Sequence, residues 1–268
     1  MTIDDTSIRL IVFFSILLLM IILELCFPAR RLTAQQQTAQ PRRLLGNYGI
    51  LIISNFISKL VLPLGLASFA IHAADQQWGL FNILQVPTWL SIVISVLLLD
   101  MLIYWQHRLF HTVPILWHLH KVHHADPHID VSTALRFHPI EIVASIFIKM
   151  AAVFVLGVPA VAVILFEVLL NGFAIFNHAN IRLPKKVEAV ARYVLMTQIL
   201  HRIHHSQLYQ ESNTNFGFSV IWWDRLFGSY AAEATKSDAE LDIGLVEYPE
   251  AKENAQLWGL LAMPFIKK

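Results

Sequence analysis

The sequence predicts an all-α fold: a multi-pass transmembrane bundle of about four or five helices with a histidine-rich helical layer at one end. Three observations carry this prediction. The 268 residues are 56% hydrophobic and only 15% charged, with a mean hydropathy of +0.56, which is the composition of a membrane protein. Five apolar stretches are long enough to cross a bilayer. Twelve of the thirteen histidines fall between His107 and His205, in ordered blocks.

The first stretch, Ile8 to Pro28, is too long for the core of a secretory signal peptide, and no small-x-small cleavage site follows it. Cys26, the only cysteine, excludes an internal disulfide and reads as a small apolar residue. The second stretch runs from Tyr48 to Ile71 and carries Lys59 and Pro63. The third is Pro87 to Trp105. Ile140 to Val158 and Ala160 to Asn177 are separated only by the turn at Gly157-Val158-Pro159, which predicts a tight hairpin, spanning or re-entrant. Between 187 and 200, Val187, Val190, Ala191, Val194 and Leu195 recur at helical spacing, predicting a helix on the membrane surface or over the site. Ala231 to Glu253 is charged and soluble-like, and Leu257 to Ile266 is apolar but too short to span. The expected organisation is N-terminal membrane helices (1–85), a catalytic region (86–230) and a cytoplasmic tail (231–268), within one integral domain.

Charge sets the orientation. Arg30, Arg31, Arg42 and Arg43 lie between the first two stretches, and no Lys or Arg lies between the second and third. The positive-inside rule puts the 30–47 loop in the cytoplasm, of a bacterial inner membrane or the endoplasmic reticulum. Alternation then puts residues 106–139 and 178–268 on the same side. A formal net charge of +1 says nothing about nucleic acid, but no K/R-rich tract is present, and no nucleic-acid partner is expected.

That topology rests on charge and hydropathy alone, yet it gathers nine of the histidines on one side. The blocks are His107-Arg-Leu-Phe-His111, His120-Lys-Val-His123-His124 and His201-Arg-Ile-His204-His205, with His178 between the last two. On a helix, residues three or four apart share a face, so His107 pairs with His111. In each H-x-x-H-H block the first histidine shares a face with both later ones. Those two diverge by about 100°, so one block can serve two ions. Nine imidazoles are too many for one ion. They suit two, redox iron in particular, although zinc could occupy the same ligands. The solitary His72, His118 and His128 are read as structural. No H-E-x-x-H or Glu-x-x-His pair is present, which argues against a zincin-like or ferritin-like site.

Asp100, Tyr104, His107 and His111 share one helical stripe. Asp100 could hold a ligand histidine or simply join two helices. In Arg136-Phe-His138-Pro-Ile-Glu141, the charged groups could contact a headgroup, support the ligands or anchor the interface. His138 is not expected to be a ligand.

The blocks resemble those of the fatty acid hydroxylase/sterol desaturase superfamily. The matching residues are Asp100, Tyr104-Trp-Gln-His107 to His111, Trp117 to His124 and Arg136 to Pro139. Asn177-His178-Ala-Asn180 through Pro184, His201 to Ser206, Asn215-Phe-Gly217 and Trp223-Asp224 through Tyr230 complete the set, over about residues 90–230. Phe216 stands where a tyrosine is usual and Ser229 where a threonine is. The resemblance implies two iron ions that use O2 to oxidise unactivated C–H bonds of a lipid or sterol drawn from the bilayer, giving hydroxylation or desaturation. It implies catalytic roles for Asp100, Tyr104, Asn180 and Asn215, and supporting or substrate contacts for Arg136, His138, Glu141 and Asp224. It leaves any tenth metal ligand unassigned. The chain has no haem, flavin or ferredoxin signature, so a separate electron donor is implied. Ether-lipid cleavage is the neighbouring alternative, and a metal-binding or transport protein the alternative of a different class.

Overall fold

The computed structural model describes residues 5–249 and 254–266; the expected tail therefore extends past the described residues at 250–253 and 267–268, as the N-terminal region does at 1–4. Thirteen α-helices are described: α1 (Asp5–Cys26), α2 (Ala34–Val61), α3 (Gly65–Asp75), α4 (Leu80–Ile83), α5 (Thr88–Thr112), α6 (Pro114–His124), α7 (Pro139–Leu156), α8 (Ala160–His178), α9 (Lys185–Ala191), α10 (Gln198–His204), α11 (Tyr209–Ser212), α12 (Trp222–Leu226) and α13 (Leu257–Ala262). There is no strand among the described residues, only isolated antiparallel bridges between Leu195 and Val220 and between Ser206 and Ile243.

Five segments are long and apolar enough to cross a membrane: Arg9–Cys26, Ala34–Ile83, Thr88–Thr112, Pro139–Leu156 and Ala160–His178. Most of their surface is unburied by protein, as expected of helices solvated by lipid. α1 ends before Pro28, which cannot continue a helix.

The second span corrects the sequence reading. Residues 34–47, expected in a loop, are helical. Thr33 and Gln36 form a reciprocal capping box, with Gln36 N donating to Thr33 Oγ1 at 3.2 Å and Thr33 N donating to Gln36 Oε1 at 2.9 Å, so α2 starts at Ala34. α2 then stops at Val61 because Pro63 excludes the helical region for Leu62, whose φ and ψ are −135° and 77°.

α5 continues past the predicted Trp105 through His107 and His111, so the first histidine pair rides on a spanning helix. The hairpin is also modified. Gly157, at φ 69°, turns the chain tightly, but α7 and α8 make little contact with each other, and α3 packs against both. Ala67 and Ala70 of α3 allow that close approach to Val153, Ala162, Val163 and Phe166, where small residues replace the hydrophobic drive of water. At this end the corner before α4 meets the α7–α8 turn backbone to backbone. A Cβ on Gly79 would lie 2.0 Å from Gly157 N.

The opposite end carries everything else. The C-terminal ends of α1, α5 and α8 and the N-terminal ends of α2 and α7 meet a layer made of α6, the 125–138 loop and α9 to α13. The described part of 231–268 is no loose tail. Leu241 and Ile243 are buried against Ile129, and Leu260 and Met263 against Ile50, Val122 and Ala125.

A buried arginine paired with two carboxylates fastens this layer to α2. Arg43 donates to Asp126 Oδ1 at 2.6 Å and Oδ2 at 2.8 Å, to Asp130 Oδ2 at 2.7 Å and to the His128 carbonyl at 2.5 Å. Burial alone would raise both aspartates, yet Arg43 holds their carboxyls below the ordinary carboxylate range. Arg30 is also engaged, donating to the carbonyls of Asp238 and Leu241. Of the four arginines behind the orientation argument, only Arg31 and Arg42 are exposed. Removing one partner of a buried pair costs about 3–5 kcal/mol. Arg43→Met is therefore expected to lower the melting temperature of the detergent-solubilised protein by several degrees, and an unchanged melting curve would show that the network is not holding the layer.

Candidate metal centre

Four helices deliver the histidines. α5 supplies His107 and His111 from its last two turns, and Pro114 starts α6 at once, where its missing N–H costs nothing. α6 then presents His120, His123 and His124 at its C-terminal end. His178 is the last residue of α8. α10 carries His201 and His204, with His205 at its C-cap. All nine rings are at most 7% exposed.

They form two groups. His107, His111, His120, His124 and His204 each offer one ring nitrogen within 4.8 Å of the others, and His123, His178, His201 and His205 do the same. Each H-x-x-H-H block divides as its helical geometry predicts. His124 and His204 join the five-histidine group, and His123 and His205 the four-histidine group. The groups abut through the stacked rings of His124 and His205, with centroids 4.3 Å apart and planes 15° apart.

On four of the nine rings an acceptor on the far side fixes the proton. His107 Nδ1 donates to the Phe216 carbonyl (2.8 Å), His204 Nδ1 to the Thr214 carbonyl (2.8 Å) and His178 Nδ1 to the Ala174 carbonyl (2.7 Å). His120 Nδ1 lies 2.7 Å from Glu141 Oε1. A carbonyl only accepts, so those Nδ1 atoms hold the proton and Nε2 keeps its lone pair. The Nε2 atoms of His107, His120 and His204 are buried and have no hydrogen-bond partner. Burial, reinforced by neighbouring imidazoles, keeps His123, His124, His201 and His205 well below the ordinary histidine range. Burial also brings His204 to about 3, against the opposing effect of its Thr214 bond. These five rings are neutral at pH 7, the form that ligates metals. In the four-histidine group, His178 Nε2 lies 3.0 Å from Nε2 of both His123 and His201, so buried ring nitrogens converge in each group, and the two groups fit two transition-metal ions.

The other expected site residues lie further back. The Asp100 stripe faces inward, but Asp100 touches no histidine. Its Oδ2 accepts from Trp223 Nε1 at 2.7 Å, the helix-joining role of the two considered. Tyr104 Oη pairs with Ser229 Oγ at 2.8 Å and accepts from Arg108 at 3.0 Å. Asn180 pins the chain after α1 by bonding both the N–H and the carbonyl of Arg30. Asn215, at φ 53°, ties Leu200 to Ala231 through its amide. None of these four side chains is bonded to a grouped histidine: Asn180 and Asn215 hold backbone, and Asp100 and Tyr104 join side chains of distant segments.

Of the supporting group, Glu141 meets a ligand ring directly. Asp224 accepts from the backbone N–H groups of Phe216 and Gly217 at 2.7 and 2.8 Å, fixing the carbonyl that holds His107. Burial raises its carboxyl to about 6, against those hydrogen bonds. Arg136 Nε donates to the Val122 carbonyl at 2.7 Å, inside the second histidine block. His138 caps α7 and bonds the Leu261 carbonyl. It is not among the grouped histidines; nor are His72 and His118, both exposed, or His128.

Sequence reasoning missed Phe137, stacked 4.4 Å from His123. It also missed Arg202, which lies inside the third block yet points away to pair with Asp238 at 2.5 Å. The only available signal was an arginine repeated within the histidine blocks. The expected single helix over 187–200 is two, α9 and α10. Between them, Val194 and Met196 pair with Ile221 and Ser219 through backbone hydrogen bonds.

The fatty acid hydroxylase family profile matches residues 92–229, half of the chain. Similar curated proteins include an ornithine lipid hydroxylase, OlsE, of Rhizobium tropici (26% identical, covering 75% of this chain and 56% of that protein). An alkylglycerol monooxygenase of Danio rerio is 30% identical over 69% of this chain and 42% of its own length. A rice very-long-chain aldehyde decarbonylase, GL1-8, is 28% identical over 63% of this chain and 62% of its own length. The chain thus spans only about half the length of such relatives. No solved structure gives a significant match.

Two substitutions separate the layers of the site. Glu141→Ala frees the His120 ring and is expected to weaken metal retention roughly 10–100-fold in a chelator competition. Asp100→Ala removes the acceptor of the half-buried Trp223 indole N–H, at about 1 kcal/mol, and is expected to lower the melting temperature while leaving the metal-to-protein ratio intact. Loss of metal in the Asp100 variant with none in the Glu141 variant would reverse these roles.

Proposed function

Because the chain belongs to the fatty acid hydroxylase family, we propose that it is a membrane-embedded di-iron oxygenase that hydroxylates a lipid. The observation that carries this reading is the pair of buried imidazole groups at one end of apolar, bilayer-length helices. Bound iron would supply O2 activation, the chemistry that protein side chains lack.

The chain's own residues do the rest. Nine imidazoles would hold the ions, and the Phe216, Thr214 and Ala174 carbonyls with Glu141 orient the rings. Phe137, Phe216 and Phe218 lie against those rings, so the surroundings are apolar and exclude water, which protects a reactive centre from side reactions. A lipid reaches such a centre from the membrane without crossing water.

The site end is read as cytoplasmic. Arg31 and Arg42 are exposed there, whereas the 62–86 segment at the other end carries no Lys or Arg. Electrons come from a separate donor protein. Hydroxylation is favoured over desaturation by the hydroxylase and monooxygenase names of the relatives. Ether-lipid cleavage is retained as the second reading, on the alkylglycerol monooxygenases alone. A transport role fits less well, because transporters bind near the midplane between repeats.

Detergent-purified protein expressed with added iron is expected to hold two irons per chain by elemental analysis. His123→Ala with His124→Ala, which takes one ring from each group, should abolish binding. Lipid extracts of cells expressing the protein should gain a species heavier by one oxygen atom that the double variant does not make. One metal per chain or none, or an unchanged lipid profile in cells that supply the donor, would overturn the proposal.

A further inference from the structure

α9 and α12 present an apolar surface that the oxygenase reading does not use. Val190 is 71% exposed, Tyr193 and Leu226 67% each and Trp222 45%. The two helices are distant in sequence but joined in space. Leu195 bridges Val220, and Ile221 N donates to the Val194 carbonyl at 3.0 Å. Arg225 of α12 lies over the rings of Tyr230, at 4.0 Å, and Tyr193, at 5.6 Å. The surface is a built unit, not scattered apolar residues.

Two features identify what it faces. It is continuous with the lipid-facing side of α5, because Phe227, just after α12, packs on Trp105 with centroids 4.8 Å apart, and Trp105 and Leu109 are themselves exposed at the end of that span. The exposed charges on the two helices are cationic, Lys185 and Lys186 on α9 and Arg225 on α12, with the exposed acid Glu233 at the margin, next to the Ala232 carbonyl that accepts from Arg192. An apolar face rimmed by Lys and Arg, with an aromatic among its exposed residues, matches the headgroup–acyl boundary of an anionic leaflet.

We infer that α9 and α12 form a paddle that lies in the bilayer interface at the site end, its apolar face among the upper acyl carbons and its basic residues on anionic headgroups. The paddle is coupled to the histidines. Glu188, buried behind α9, accepts from Thr197 Oγ1 at 2.7 Å, and Thr197 is the N-cap of the helix that carries His201 and His204. Lipid contact with the paddle thereby bears on one wall of the metal centre. This inference is independent of the reaction catalysed.

The test uses the full chain with Cys26→Ser, and one new cysteine at a time: Val190→Cys, Leu226→Cys, or Glu240→Cys as the water-facing control. Each is labelled with an environment-sensitive fluorophore in nanodiscs of phosphatidylcholine, with and without phosphatidylglycerol. Doxyl-labelled lipid should quench the labels at 190 and 226 several-fold more than the label at 240, with iodide showing the reverse order. Phosphatidylglycerol should increase the lipid quenching at 190. Melting temperature matched to the parent identifies folded variants, and the two independent positions guard against a local defect. Labels at 190 and 226 that iodide reaches as readily as the one at 240 would overturn the inference. Lipid quenching indifferent to phosphatidylglycerol would overturn its electrostatic part.

Discussion

A neutral imidazole has one N–H and one lone pair, and in a dry interior neither can be left idle without cost. Burying nine of them together makes this the constraint on which the rest of the molecule depends. Where the outer nitrogen has an acceptor, the inner one must be a lone pair. The acceptors are mostly main-chain carbonyls, those of Phe216, Thr214 and Ala174, so the backbone conformation of remote segments decides which way ligand atoms face. That is why so much of the chain outside the histidine blocks is specified so closely. Asp224 gathers the 216–217 amides, and Asn215 holds an uncommon positive φ while tying three backbone groups together.

The charged residues obey the same logic one layer further out. Among the described residues, the only carboxylate hydrogen-bonded to one of the nine grouped histidines is Glu141. The others act at a distance from the rings. Asp126 and Asp130 meet Arg43, Asp238 meets Arg202, and Glu24 accepts from the Val131 N–H. Each joins a spanning helix or a histidine helix to a segment far away in sequence. Such pairs contribute little net stability compared with apolar packing, but breaking one is costly, so they specify which surfaces meet.

The periodic features were legible in the sequence and the tertiary ones were not. Five apolar runs became five spanning segments, and the splitting of His123 from His124, and of His204 from His205, follows from the turn of a helix. The fate of Asp100 could not be read. Its partner, Trp223, lies 123 positions away, and the stripe that turns Asp100 inward says nothing about which chain segment it will meet. Arg43 misled for a related reason. As a loop arginine it counted toward membrane orientation, but a capping box at Thr33 placed it within a helix, where two aspartates from another segment enclosed it. The start of α2 was missed because a run of glutamines reads as a polar loop until its cap is recognised. Residues 194–196 broke a helical pattern because residues 219–221 supplied alternative backbone partners, a competition no local spacing reveals.

α5 has one further consequence. A single uninterrupted helix of 25 residues contains both the stretch that lies in lipid and the pair His107 and His111. With no hinge between them, the height of those rings above the bilayer centre is set by helix rise, about 1.5 Å per residue. A lipid standing upright in the leaflet brings its atoms past that level in a fixed order. If the substrate is the lipid proposed above, the helix acts as a depth gauge: which atom is presented follows from how far it sits from the headgroup, without the protein having to grip the whole molecule.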